Sequence, residues 1–148
     1  MHAARTTVAA LVSYLVARLF RLPESYWAAI STLVVMQSTL GAALPVSVQR
    51  FAGTFAGALV AGVTITCFGG NLWTFGAALF LIGLLCAIFR VERSAYRYAG
   101  ITLAIIMLIK RSAGVWQIAA HRFFEVSLGI AVGLALSAAW PETRAKNV

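Results

Sequence analysis

Three ionisable side chains lie close together in the apolar segment "HRFFEVSLG", and their types and spacing suit proton chemistry. Glu125 follows Arg122 by three residues and His121 by four, so on an α-helix the three share one face. Ionisable groups inside membrane helices are costly and are functional candidates by default. The spacing predicts either a relay, in which Glu125 carries a coupled proton and His121 assists, or a buried structural pair of Arg122 with Glu125.

A fourth ionisable residue, Arg50, heads a second apolar run, "RFAGTFAGALVAG". If a helix begins there, the guanidinium adds positive charge to an end that the helix dipole already makes positive. A carboxylate would suit both groups, since it can bind the guanidinium with two hydrogen bonds and accept further ones from the terminal amides. Two interpretations stay open: Arg50 and Arg122 contact an organic anion, or Arg50 is an interfacial anchor that extends its charge to lipid headgroups.

Further polar and aromatic candidates lie in "SYWAAISTLVVMQSTLG". Tyr26 and Trp27 either stack on an aromatic acid or anchor the helix at the membrane interface, where such residues gather. Gln37 offers hydrogen bonds to a substrate or to a neighbouring helix. With Glu125 and His121 lacking a third ligand, we expect no metal and no cofactor.

The composition determines which elements must position these residues. Of 148 residues, 61% are hydrophobic and only 11% are charged, which exceeds what one small globular core could bury. The apolar runs do not alternate with period two, so they predict membrane helices rather than strands. We expect an all-α integral membrane protein in which 1–141 form one module and 142–148 a short cytoplasmic tail. Its six predicted transmembrane helices span approximately 6–21, 25–41, 50–68, 71–89, 95–110 and 115–139.

Positive charge predicts the orientation of these helices. Cytoplasmic loops carry the excess of lysine and arginine, so we expect the N- and C-termini inside. This placement accounts for the net charge of +8 without a nucleic-acid partner. Cys67 and Cys86 then differ in depth by about 20 Å, and we expect two free thiols. The predicted inner residues are Arg5, Arg50, Arg90, Arg93, Arg97, Arg144 and Lys146, and the outer ones are Arg18, Arg21, Lys110 and Arg111.

Two glycine-rich helices resemble each other. "RFAGTFAGALVAG" aligned with "RFFEVSLGIAVGL" pairs Arg50 with Arg122 and Phe51 with Phe123. This similarity predicts an inverted 3+3 repeat of the kind found in transporters; the alternative is that both helices are simply selected for close packing. The residues expected to pack the helices are Gly53, Thr54, Gly57, Gly129 and Gly133.

The same motifs resemble the membrane module of the fusaric acid resistance and aromatic acid exporter family. The resemblance rests on an aromatic pair at the head of the second helix, a later Gln, then Arg, Gly-Thr and spaced glycines, and on the closing "RFFEVSLGIAVGLALSAAWP". It covers nearly the whole chain, although Ser38 stands where proline is expected. The resemblance implies a six-helix module of the bacterial inner membrane that is associated with efflux of aromatic and other organic acids.

Three functions follow as hypotheses. The first is proton-coupled export of small organic acids by a homodimer embedded in lipid. The second is a passive anion channel on the same scaffold, and the third is a noncatalytic membrane subunit that requires a partner. We do not expect an enzyme, because the sequence contains no phosphate-binding glycine loop and no HExxH or GxSxG motif.

Overall fold

The described part of the chain folds into α-helices. A computed structural model describes residues 2–36, 40–109 and 113–140. Within these ranges there are six helices and no strand, which confirms the all-α prediction. The predicted tail at 142–148 and the predicted outer residues Lys110 and Arg111 lie outside them. The helices are α1 (His2–Leu19), α2 (Tyr26–Met36), α3 (Leu40–Phe68), α4 (Leu72–Ile88), α5 (Arg93–Leu108) and α6 (Val115–Ala139).

The helices differ in whether they could cross a bilayer unaided. Among the described residues, two helices are long and apolar enough, over Gly41–Phe68 and Val115–Ala139. Tyr26–Met36 and Leu72–Ile88 are apolar but shorter. A helix of 11 residues is about 16 Å long, roughly half the thickness of the hydrocarbon core. Six complete crossings therefore stay a prediction.

The start of α3 differs from the sequence-based prediction. The predicted ranges leave 42–49 as the connection between the second and third helices, but α3 begins at Leu40 and contains Pro45. Its buried residues recur every three or four positions through this segment, at Ala43, Ser47 and Arg50, so packing along one face maintains the helix across the proline. The predicted end of the second helix at 41 is also wrong, because α2 ends at Met36 and Leu40 already belongs to α3.

Arg50 accordingly does not stand at the head of a helix. It is the eleventh residue of α3, about 15 Å along the helix axis from its start. The amides of the first turn are too distant to share an anion with its guanidinium, so that part of the anion-binding argument is wrong. The start of α6 at Val115 matches its prediction and places Arg122 about two turns into the helix.

The chain divides into two compact units. The first comprises Met1–Ser47 and Glu125–Val148, and the second Val48–Phe124. In the first, α1 packs on α2, and Val35, Ala43, Val126 and Ile130 form a buried cluster. In the second, α4 packs on α5 around a larger cluster that includes Leu103, Ile106 and Ile118. Because α3 and α6 each contribute to both units, the units differ from helices one to three and four to six.

The helices α1 and α4 end in the same way. Arg21 and Arg90 both adopt a left-handed backbone, with φ of 55° and 50°. The Arg21 N–H donates to the Arg18 carbonyl and the Leu22 N–H to the Ala17 carbonyl. After α4, the N–H groups of the two corresponding residues, Arg90 and Val91, donate to Ala87 and Cys86. Each end is thus a C-terminal cap of the Schellman type, although glycine usually occupies the left-handed position.

The two cysteines are free thiols. Cys67 lies at the end of α3 and is exposed, and Cys86 lies near the end of α4 and is partly buried. This agrees with the prediction from their expected difference in depth.

Candidate functional site

Two buried arginines lie on the long helices of the second unit. Arg50 of α3 is 6% exposed and Arg122 of α6 is 3% exposed. The residues that follow them in sequence, Phe51 and Phe123, have ring centroids 4.9 Å apart. The helices α3 and α6 therefore meet close to the level of the two guanidinium groups. Two of the three buried arginines among the described residues, Arg50 and Arg122, therefore lie on these two helices.

An aromatic ring accompanies the Arg50 guanidinium. Its central carbon lies 4.9 Å from the centre of the Tyr98 ring of α5. The negative face of an aromatic ring attracts a cation, and the attraction strengthens where water is excluded. Tyr98 was not among the predicted site residues; it directly follows Arg97 in α5.

The carboxyl group of Glu125 lies at the start of α2 in the first unit. Its Oε1 atom accepts a hydrogen bond of 2.8 Å from the Glu24 backbone N–H, and the residue is only 1% exposed. A carboxylate is stabilised near a helix N-terminus because the exposed amides there carry partial positive charge. Arg122 and His121 share α6 with Glu125 at the predicted spacing, with Arg122 buried and His121 half-buried.

The aromatic pair at the start of α2 has polar contacts within the chain. The Tyr26 hydroxyl donates to a Glu24 carboxylate oxygen at 2.8 Å, and the Trp27 Nε1–H donates to the other oxygen at 3.2 Å. The two ring centroids are 5.5 Å apart. Glu24 therefore joins Tyr26, Trp27 and Glu125 into one network. Sequence reasoning missed Glu24, although it is one of only four acidic residues in the chain.

The predicted packing glycines lie at two close helix crossings. A Cβ added to Gly53 or Gly57 would overlap the carbonyl oxygen of Ala95 or Ala99 on α5. In the first unit, a Cβ on Gly129 would overlap the Ala28 carbonyl oxygen of α2. A Cβ on Gly133 would lie 3.2 Å from the Val35 Cβ atom. These contacts let the helix backbones approach closely, as small residues do in membrane proteins.

Two threonines line these crossings. Thr54 is buried on α3 beside Gly53. Thr32 of α2 donates from its hydroxyl to the carbonyls of Ala28 and Gly129 at 3.0 and 2.9 Å, which ties α2 to α6. The remaining predicted site residue, Gln37, lies outside the described residues. Within the described ranges, no group of three His, Cys, Asp or Glu side chains could hold a metal ion.

Comparison with known proteins identifies relatives. Residues 10–136 match the protein family described as fusaric acid resistance protein-like. The chain is 35% identical over 141 residues to "Uncharacterized transporter YdhK" of Escherichia coli (strain K12), an alignment that covers 89% of this chain and 21% of that protein. It is 28% identical over 151 residues to "Inner membrane protein YeeA" of the same strain, with coverage of 96% and 41%. No solved structure matches the chain significantly.

The relatives are longer than this chain. The chain spans about a fifth of the first relative and about two fifths of the second. Their names place the family in membranes and associate it with transport.

Proposed function

The chain belongs to the fusaric acid resistance protein-like family, and from this premise we propose that it is an inner-membrane transporter that exports small organic acids in exchange for protons. The names of the relatives favour transport over catalysis. Because the chain spans only part of their length, its activity as a separate module belongs to the proposal.

The observation that carries the proposal is the pair of buried arginines on long apolar helices. A guanidinium inside the hydrocarbon region is costly unless a partner stabilises it, so such residues are functional candidates. Arg50 and Arg122 each directly precede one of the two phenylalanines, Phe51 and Phe123, through which α3 contacts α6. A carboxylate that entered this region would gain two cations that form strong, directional hydrogen bonds with carboxylate oxygens.

Three observations support an inverted repeat of α1–α3 and α4–α6. The helices α1 and α4 end in the same left-handed cap, at Arg21 and Arg90. The third helix of each half crosses the second helix of the other half at a glycine. Gly57 of α3 contacts α5, and Gly129 of α6 contacts α2. Residues at matching positions, Phe51 and Phe123, contact each other, as is expected where two repeats meet. Transporters with inverted repeats bind substrate at this junction, near the middle of the membrane.

Glu125 is the proposed coupling group. Its ionised carboxylate accepts a charge-assisted hydrogen bond from the Glu24 amide, and such bonds are roughly twice as strong as neutral ones. Protonation would weaken this bond at the start of α2. The Glu24 carboxylate holds Tyr26 and Trp27, so the proposed change would be transmitted from α6 to the aromatic pair. His121, four residues earlier, assists the proton transfer in this scheme.

The assembly and orientation complete the proposal. Six helices are few for a path that must enclose an organic acid, so we propose a symmetric homodimer, the commonest closed assembly. The excess of arginine on one side orients the chain with both termini in the cytoplasm.

Transport by the purified 148-residue chain in lipid vesicles tests the proposal. An imposed pH gradient should drive accumulation of an aromatic or aliphatic carboxylate by wild type, and Arg122→Ala should abolish it while the protein remains folded. Protein-free vesicles are the control for passive diffusion of the neutral acid. Electrogenic anion flux without proton coupling would instead indicate a channel, and the absence of both activities would indicate a subunit that requires a partner.

A further inference from the structure

An open cleft of about 470 Å³ lies where α1 ends and α2 begins, within the first unit. Its walls carry Tyr14, Arg18, Arg21, Ser25 and Tyr26, and two apolar residues of the connecting segment complete them. The volume falls within the range of small-molecule pockets, which is roughly 300 to 1,000 Å³. Arg18, Arg21 and Tyr14 take no part in the site around Arg50 and Arg122.

The Arg18 side chain and the Arg21 backbone each have a local contact. The Arg18 guanidinium lies 6.0 Å from the centre of the Tyr14 ring. The Arg21 backbone is left-handed, and its N–H donates to the Arg18 carbonyl at 2.9 Å. A non-glycine residue in this conformation is strained, so glycine would form the cap more easily.

The second tyrosine of the cleft is also restrained. The Tyr26 hydroxyl donates to the Glu24 carboxylate, and its ring neighbours Trp27. The cleft therefore combines two guanidinium groups with two tyrosine rings. Guanidinium groups bind carboxylates with paired hydrogen bonds, and aromatic rings pack against flat apolar rings.

The corner between α4 and α5 provides an internal comparison. It has the same cap at Arg90, but Ala87 stands where the first corner has Arg18, and Ala95 stands where it has Tyr26. The groove beside it is lined by apolar side chains that include Phe89 and Val91. The cap is thus common to both corners, whereas the described lining of the second groove contains no arginine and no tyrosine.

We propose that this cleft binds a small aromatic carboxylate, with the carboxylate at Arg18 and Arg21 and the ring against Tyr14 and Tyr26. Only two cleft residues are apolar, which leaves little surface for a lipid acyl chain. The proposal rests on the transport function for its choice of acid. With the N-terminus inside, α1 ends on the outer side, and the cleft is then the place from which an exported acid leaves.

Equilibrium binding of benzoate to the purified chain in phosphatidylcholine nanodiscs tests this site. Arg21→Gly removes the guanidinium and suits the left-handed backbone, and Arg90→Gly makes the same change at the other corner. We expect Arg21→Gly to weaken benzoate binding at least tenfold and Arg90→Gly to leave it within twofold of wild type. Arg18→Gln should weaken it similarly. Cyclohexanecarboxylate should bind more weakly than benzoate, because its ring is not flat.

Two results would overturn the proposal. One is equal benzoate binding by Arg21→Gly and Arg90→Gly. The other is an absence of benzoate binding to wild type. If nanodiscs that also contain phosphatidylglycerol then lose bound phosphatidylglycerol in Arg21→Gly, the cleft is a headgroup anchor. A separate vesicle assay of transport distinguishes the two proposals. If wild type transports benzoate but Arg21→Gly binds it as wild type does, only the cleft proposal is refuted. If Arg21→Gly loses benzoate binding but wild type transports no benzoate, only the transport function is refuted.

Discussion

The two glycine crossings of the chain have similar backbones and an arginine about two turns before each glycine, but only the second has a carboxyl group between the arginine and the glycine. Gly57 of α3 meets the Ala99 carbonyl of α5, and Gly129 of α6 meets the Ala28 carbonyl of α2. About two turns before Gly57 lies Arg50, which contacts the Tyr98 ring. About one turn before Gly129 lies Glu125, which accepts the Glu24 amide hydrogen. The packing is thus alike in the two places, whereas the polar groups differ.

This difference indicates how one packing arrangement can hold two kinds of chemistry. Close backbone contact at a glycine fixes the helices, and it leaves the neighbouring polar residue in a buried position where its charge matters. At the α3–α5 crossing that residue is a cation beside an aromatic ring, which suits an anion contact. At the α6–α2 crossing it is a carboxyl group at a helix start, which suits a group that gains and loses a proton.

The largest expected effect comes from closing either crossing. Gly57→Leu and Gly129→Leu place side-chain atoms where backbone carbonyls already lie, so we expect each to destabilise the protein by about 3 kcal/mol or more and to reduce the yield of folded protein. Gly76→Leu is the control, since nothing lies within 4 Å of a Cβ at that position. Thermal unfolding in detergent measures the difference. Equal stability of the three variants would contradict the role of the crossings.

A smaller effect is expected at the carboxylate of the second crossing. Glu125→Leu leaves the Glu24 N–H without this acceptor, and loss of a hydrogen bond to a charged group costs about 1.5–3 kcal/mol. Glu125→Gln retains an oxygen acceptor and should recover more than half of that loss. The unfolding midpoints of the two variants test this order. If Glu125→Leu is as stable as Glu125→Gln, the hydrogen bond between Glu125 and the Glu24 N–H does not stabilise the start of α2.

The smallest effect is expected at the arginine of the first crossing. A cation beside an aromatic ring contributes about 0.5–2 kcal/mol. A double-mutant cycle with Arg50→Gln and Tyr98→Leu should therefore give a coupling energy of about 1 kcal/mol. Tyr98→Phe keeps the ring and should keep most of the coupling. A coupling energy near zero would mean that Tyr98 does not stabilise the guanidinium.

The sequence was informative where apolar residues form long runs. It predicted an all-helical chain, and the bounds of α6 at 115 and 139 agree with the structure. It misplaced the start of α3, because Pro45 is usually a helix breaker and the packing that maintains the helix there involves residues distant in sequence. Local patterns do not report such packing.

The polar network of the site was less predictable. The backbone amide that donates to Glu125 belongs to Glu24, in the turn before α2, and a main-chain donor has no sequence signature. The matching caps at Arg21 and Arg90 were also missed, because a left-handed residue is normally inferred from glycine. The repeated Phe-Arg pair at the ends of α1 and α4 was the signal available.

The most direct test of proton-coupled export compares two assays of Glu125→Gln in lipid vesicles. Exchange of labelled for unlabelled benzoate needs no net proton movement, whereas accumulation driven by a pH gradient does. We expect wild type to perform both and Glu125→Gln to retain exchange but lose accumulation. Undiminished accumulation by folded Glu125→Gln would contradict the assignment of Glu125 as the coupling group.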